Sequence, residues 1–131
     1  MSNAKEVRAD RQYTREHEWA KSEGAETLVG ISAFAVDQLG DITLLDLSVK
    51  VGDVLSAHQA FGTIESVKTL SDLYSPIAGR VTRLNEELVN HPEWVNEDPW
   101  DKSWMIALAP EGAGELLSPA DYAVLVEESD R

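Results

Sequence analysis

Short apolar runs separated by glycine, proline and acidic breaks predict a mainly β chain with a few brief helices. Residues 26–32 (ETLVGIS) read as a strand. Ser32 then caps a helix of barely two turns, whose Phe34, Ala35 and Leu39 share a face before Gly40 ends it. Residues 41–47 (DITLLDL) form the next strand, a Gly52-Asp53 turn follows, and residues 61–66 form another strand. Residues 72–74 extend to Ser75-Pro76, where proline removes a ladder donor and favours an edge or a corner. Residues 79–84 (GRVTRL) and 104–110 (WMIALAP) are the remaining strands. Between them, residues 85–100 hold Pro92 and Pro99 among acids and amides, which predicts a long ordered loop with one helical turn. Gly112-Ala113-Gly114 reads as a turn. The chain closes on a helix over 118–130, with Ser118 at the N-cap, Pro119 at N1, Asp121 at N3, and Tyr122, Leu125 and Val126 on one face.

One internal echo bears on the architecture. GDITLL from Gly40 and GRVTRL from Gly79 share Gly-x-β-branched-Thr-x-Leu, and each precedes a turn region and an apolar strand. This suits a pseudo-symmetric β-sandwich with the intervening hairpin projecting from one end. Residues 1–12 are polar and read as a flexible lead-in, and 13–131 as one domain, since 131 residues support one core and not two comfortable ones.

That hairpin poses the chemical question. Between TIES and LSDLYSP stands Val67-Lys68-Thr69, with none of the Asn-Gly or Asp-Gly pairs that make tight hairpins. A lysine at a turn tip is ordinarily a solvated charge. It is also where a modifying enzyme reaches an amine and where a covalent tether swings without disturbing the core. Spacing alone leaves both readings open.

Charge and composition narrow the partners. A net charge of −13 repels phosphate backbones and anionic headgroups, so nucleic acid and membrane surfaces are not expected partners. A nucleic-acid mimic would share the acidity, but here acids alternate with apolar residues as in an ordinary globular domain. With no cysteine, disulfides, thiolate metal sites and a cysteine nucleophile are excluded, and any sulfur chemistry must be borrowed. The first dozen residues contain no apolar stretch resembling a signal peptide or membrane span. His17, His58 and His91 are too scattered for a zinc site, and His17 reads as a structural hydrogen-bonder. Asp98 and Asp101 lack the pattern of a calcium loop and read as solvated charges. Glu65 and Asp72 face each other in a simple hairpin, but beside an exposed turn they lack the pocket that acid–base catalysis needs.

ESVKTLSD, with Gly79 eleven residues after the lysine, resembles the lipoyl-attachment hairpin of the glycine cleavage system H proteins. The likeness continues through HEW (17–19), VGIS (29–32), LGDI (39–42), SDLYSPIAG, LNEEL (84–88) and VNEDPW (95–100), and so spans residues 13–126. The chain differs from the common pattern at Glu16, Gln38, Leu47-Ser48, Trp100, Asp101 and Ser103. These changes fall in the lining of the arm's resting cleft and in the 98–103 loop.

The resemblance implies a mainly β fold, a biotinyl/lipoyl-type β-sandwich (barrel-sandwich hybrid) with short helices and a C-terminal helix. It implies lipoate covalently attached to Lys68, with Glu65, Ser66, Val67 and Gly79 serving attachment-enzyme recognition or hairpin geometry. Glu18 and Asp72 become the acids of an arm cleft, with Ile31, Phe34 and Leu39 as its apolar walls. The implied role is that of a carrier and not an enzyme. It takes an aminomethyl unit from pyridoxal-phosphate-dependent glycine decarboxylase to a tetrahydrofolate-dependent aminomethyltransferase. FAD-dependent dihydrolipoamide dehydrogenase then reoxidises it, and a lipoate-attaching enzyme is the further partner. The setting is cytoplasmic in a bacterium and the mitochondrial matrix in a eukaryote. A related protein that relays lipoyl groups to other complexes needs the same lysine. A biotin carrier normally places Met on both sides of its lysine, unlike Val67 and Thr69, and an interaction module would leave Lys68 inert.

Overall fold

The echo between residues 40–45 and 79–84 is a repeated bulge. In a computed structural model describing residues 4–112 and 114–129, β4 (Ile42–Leu47) pairs antiparallel with β6 (Ala60–Ser66), and β8 (Gly79–Leu84) with β9 (Ile106–Pro110). Both ladders slip register at the shared threonine, between Ile42 and Leu44 in one and between Val81 and Arg83 in the other. An extra residue in one strand leaves polar groups to satisfy. The Thr43 hydroxyl donates to the Glu65 carbonyl of the facing strand at 3.2 Å, and the single proton of the Thr82 hydroxyl is shared between the Glu26 carboxylate at 2.6 Å and the Ala107 carbonyl of the facing strand at 3.1 Å.

The two bulged pairs belong to different sheets. One has six strands in the order β1-β2-β3-β9-β8-β5, where β1 is Gln12–Tyr13, β2 Glu18–Glu23, β3 Glu26–Ile31 and β5 Val54–Leu55. The other has three, β4-β6-β7, with β7 at Leu70–Tyr74. The sheets form an open sandwich, mainly β as the hydrophobic pattern predicts, with no closed barrel. Inward residues of both, among them Val29, Leu45, Phe61, Ile64, Leu73, Val81, Ile106 and Leu108, make one apolar core. Close sheet contact demands glycine at two places. A β-carbon on Gly62 would strike the Asp46 carbonyl oxygen, and one on Gly79 would lie 2.7 Å from that of Ala109.

A second cluster of Tyr13, Trp19, Phe34, Trp100, Tyr122 and Val126 fastens the outer elements. It joins α1 (Ala33–Leu39), capped by Ser32 and ended by Gly40, to α4 (Pro119–Ser129), whose Asp121 N–H donates to Ser118. Residue 130, assigned to the last helix from the sequence, lies outside the described residues, as does Ala113 of the expected glycine turn. Packing extends further toward the N-terminus than the hydrophobic pattern indicates. Arg11 is buried with its guanidinium over the rings of Trp19 and Trp100 and donates to the Trp100 carbonyl at 3.0 Å. The Glu6 carboxylate accepts from the Trp100 indole at 3.0 Å.

Residues 85–100 hold two short helices, α2 (Glu86–Asn90) and α3 (Trp94–Glu97), where the sequence predicts one turn. Asp98 is more than a solvated charge, since its carboxylate accepts from the backbone N–H groups of Trp100, Asp101 and Lys102 at 3.0–3.2 Å. No helix among the described residues is long and apolar enough to cross a membrane.

Just past that loop the hydroxyl of Ser103 is buried with no hydrogen-bond partner. An unsatisfied buried polar atom costs about 1–3 kcal/mol. Ser103→Ala is therefore expected to raise the urea-unfolding free energy by about 1 kcal/mol, and a loss of stability of that size would show that the hydroxyl is satisfied.

Candidate functional site

The Lys68 turn works without glycine because Ser66 supplies the missing contacts. Its hydroxyl accepts from the N–H groups of Lys68 at 3.1 Å and Thr69 at 3.2 Å, while the Ser66 N–H donates to the Thr69 carbonyl at 2.8 Å. The tip is also tied sideways, the Val67 N–H donating to the Asp41 carbonyl at 3.0 Å. Asn96 of α3 fixes that neighbouring segment by accepting from the Ile42 N–H at 2.8 Å and donating to the Gly40 carbonyl at 3.0 Å. Val67, Lys68 and Thr69 are all exposed on this braced support. The lysine stem runs over Gly40, where a β-carbon would lie 3.2 Å from Lys68 Cε, and Gly40 itself adopts φ +85°.

Along α1, whose last residue Leu39 precedes the glycine under the lysine stem, opens a groove of about 430 Å³. Ala35, Gln38 and Leu39 of α1 form one wall, Ile31 and Ile64 lie among its apolar residues, and Ser71 to Tyr74 of β7 form the other wall. Glu16, His17 and Glu18 close its end. The groove thus brings together Glu18, Asp72, Ile31 and Leu39 of the candidates drawn from the sequence. Phe34 lies outside the lining and packs in the aromatic cluster, its ring 4.9 Å from that of His17. Glu65 is exposed on the hairpin and pairs with Leu70, while Asp72 pairs with Thr63, so the two carboxylates are not directly opposed. Gly79 lies in the other sheet, and the approach of β9 already accounts for its missing side chain. Ser71, Leu73 and Tyr74 escaped notice as lining residues, though Ser71 and Leu73 alternate along the strand that follows the lysine.

The HEW stretch sends three neighbouring side chains in three directions. His17 adopts φ +73°, which turns the chain, and its Nδ1 meets the Tyr122 hydroxyl at 2.8 Å. Trp19 lies over Gly30, its indole donating to the carbonyls of Ile31 and Pro99 at 3.0 and 3.1 Å. Between them Glu18 points into the groove, only 3% exposed, accepting from the Thr14 hydroxyl at 2.6 Å and from the Tyr74 backbone. One carboxylate therefore links β2 of the larger sheet to β7 of the smaller. Burial lifts its pKa to about 7, with the Thr14 hydrogen bond opposing and the Glu16 charge adding to the rise. No cluster of metal-ligating side chains occurs among the described residues.

The structure thus offers an exposed lysine on a braced hairpin tip and, along the helix that leads to it, an apolar groove with a buried acid. Residues 11–129 match the family described as Glycine cleavage H-protein. The glycine cleavage system H protein of Bacillus licheniformis is 45% identical, across 98% of this chain and 99% of its own length. That of Carboxydothermus hydrogenoformans is 48% identical over 93% and 95% respectively. A crystal structure of the glycine cleavage system H protein from Mycobacterium marinum superposes with a TM-score of 0.83 at 36% identity, covering 90% of this chain and 97% of that one. The chain belongs to the glycine cleavage H-protein family, whose members are carrier subunits of the glycine cleavage system.

The raised pKa of Glu18 has a definite sign for stability. Between about pH 4.5 and pH 7 the native state holds a proton that the unfolded state has released, so this group's contribution falls as pH rises through that window and is lost above it. Glu18→Gln keeps the shape and removes the titration. Urea unfolding is expected to show the variant more stable than the parent by roughly 2–3 kcal/mol at pH 8, with the difference shrinking as pH falls below 7 and nearly gone below about pH 4.5. A difference that is constant with pH would contradict the burial assigned to this carboxyl.

Proposed function

We propose that Lys68 carries lipoate in amide linkage and that the chain takes an aminomethyl unit from glycine decarboxylase to aminomethyltransferase, with reoxidation by dihydrolipoamide dehydrogenase. The observation that carries this reading is the position of Lys68, exposed on a tip braced by Ser66 and Asp41, with its stem over Gly40, the residue after Leu39 of the groove wall. The surroundings fit the group. Gly40 leaves space for the stem, and the groove offers apolar walls at Ile31, Ala35, Leu39 and Leu73 for a hydrocarbon arm. When bound, lipoate supplies the pair of sulfurs that this cysteine-free chain lacks.

The chain's own residues supply tethering and shelter. A tether replaces diffusion of a free intermediate by a high effective concentration at each docked enzyme. An amine-bearing arm end is cationic, and Glu18 and Asp72 are the acids that meet it in the groove. Entry of the cation favours the ionised form of Glu18, so its proton leaves as the charge arrives. The resulting charge-assisted contact offsets the loss of water around the amine. Gln38 and Glu16 add polarity to the groove lining, with Glu16 Oε1 3.5 Å from His58 Nδ1. The acidic surface speeds encounter with basic docking faces, an effect that salt reduces.

Two measurements test this reading. Lys68→Arg is expected to fold normally and to lose all carrier activity in a reconstituted glycine decarboxylation assay, since a guanidinium keeps the charge but forms no lipoyl amide; retained activity contradicts the attachment. Glu18→Ala and Asp72→Ala, loaded with the aminomethyl group and held without partner enzymes, are expected to release ammonia faster than the parent. A factor on the order of ten corresponds to one lost charge-assisted hydrogen bond. Equal release from all three proteins would show that these acids do not shelter the cargo.

A further inference from the structure

A chain of hydrogen bonds runs behind the groove and ends on its His17. The Ala35 N–H donates to Ser32 Oγ at 3.3 Å, Ser32 Oγ lies 2.6 Å from the Tyr122 hydroxyl, and that hydroxyl lies 2.8 Å from His17 Nδ1. Ser32 and Tyr122 are fully buried, whereas His17 is half-buried and lines the groove. Each hydroxyl proton must therefore find its acceptor within the chain. The protons can run in only one direction. If Nδ1 of His17 carried a proton, it would donate to the Tyr122 oxygen and the Tyr122 proton would go to Ser32. The Ser32 proton would then have no acceptor among the hydrogen bonds of the described residues. In the opposite sense Ser32 donates to Tyr122, Tyr122 donates to Nδ1, and every proton is paired. Nδ1 is thus the acceptor, and the ring proton sits on Nε2.

We propose that Tyr122, which lies outside the groove, is a positioning residue that with Ser32 holds His17 as the neutral Nε2–H tautomer, so that the groove end presents no positive charge to a cationic arm end. The inference rests on the reading of the groove as the shelter of an amine-bearing arm. A proton arriving on Nδ1 would reverse the relay and strand the Ser32 hydroxyl in the interior, which penalises the imidazolium. Burial of the ring acts in the same direction, with the Glu16 charge opposing. The titratable groups around His17 are Glu16 and Glu18 beside it in the chain, Asp72 and Tyr74 of β7 in the same groove, and Tyr122 of α4 behind it. His58 stands 3.5 Å from Glu16, and α1 presents the Phe34 ring. An imidazolium in this company would pair with the acids that are to meet the amine and would repel the amine itself. Tyr122 keeps its own proton, because burial pushes its pKa up, and its ring is fixed by stacking 4.2 Å from that of Tyr13. The C-terminal helix thereby sets the charge of a groove it does not line.

The test compares the full chain with Tyr122→Phe, which keeps the ring stacked on Tyr13, and with Tyr122→Phe/His17→Asn, in which a neutral residue tolerant of φ +73° replaces the imidazole. Ring-nitrogen NMR of the unmodified chain at neutral pH is expected to show His17 as the Nε2–H tautomer. Tyr122→Phe should raise the His17 titration midpoint by about one pH unit, the worth of one hydrogen bond. Once lipoylated and loaded with the aminomethyl group, Tyr122→Phe is expected to release ammonia faster than the parent, by a factor that grows as pH falls toward the His17 midpoint. The double variant should return to the parent rate. An Nδ1–H ring or an imidazolium in the parent overturns the relay, whether or not the variants fold, and so does an unshifted midpoint in Tyr122→Phe. Release from Tyr122→Phe equal to the parent at every pH, or faster release that His17→Asn fails to reverse, overturns the effect on the groove. A parent that takes up no lipoate at Lys68 overturns the attachment reading and with it the role given to the groove, while the spectra of the unmodified chain still decide the relay.

Discussion

A hairpin that must hold a long cation in water while both its strands stay in a sheet needs a turn with no room for error, and the Ser66 hydroxyl provides it. Two N–H groups that would otherwise go unpaired converge on one oxygen, so Val67, Lys68 and Thr69 need no left-handed residue among them. The remaining supports follow outward from that turn. Asp41 anchors the tip, Asn96 anchors the Gly40–Ile42 segment, and Gly40 ends α1 while clearing the path of the lysine stem. The same helix then forms a wall of the groove, so turn, helix end and groove are one continuous piece of structure.

Electrostatics sets the hairpin apart from the groove. The hairpin tip is exposed on an acidic molecule, while Glu18 is withdrawn from water. An isolated ionised carboxylate there is costly, which is why burial holds its proton on to a higher pH. On the proposed function, the stability conceded by burying this acid is the counterpart of a groove that takes a positively charged guest.

Most strands and the two capped helices were legible because their signals are local: alternation, Ser caps, a Pro at the first helical position and a Gly stop. The lysine hairpin and part of the groove, Glu18, Ile31, Leu39 and Asp72, were indicated by family likeness, since no local rule distinguishes Lys68 from a solvated charge. The missed features depend on partners distant in sequence. The burial of Arg11 requires two tryptophans from other parts of the fold, and the need for glycine at Gly62 arises from the Asp46 carbonyl of the neighbouring strand. Phe34 was assigned to the groove by family likeness, and the sequence pattern put it on one face with Ala35 and Leu39. The structure divides them, Leu39 and Ala35 to the groove and Phe34 to the aromatic cluster. The two threonine bulges are an intermediate case, visible as an echo in the sequence and intelligible only once the slipped registers are known.

The central claim is that one lysine, selected by its braced position, bears the arm. Peptide-level mass spectrometry of the chain purified from cells supplied with lipoate tests it most directly. The account predicts a lipoyl amide on Lys68, with Lys5, Lys21, Lys50 and Lys102 unmodified. A lipoyl group on any of those four, biotin on Lys68, or an unmodified Lys68 in cells whose other lipoyl proteins are fully modified would contradict it.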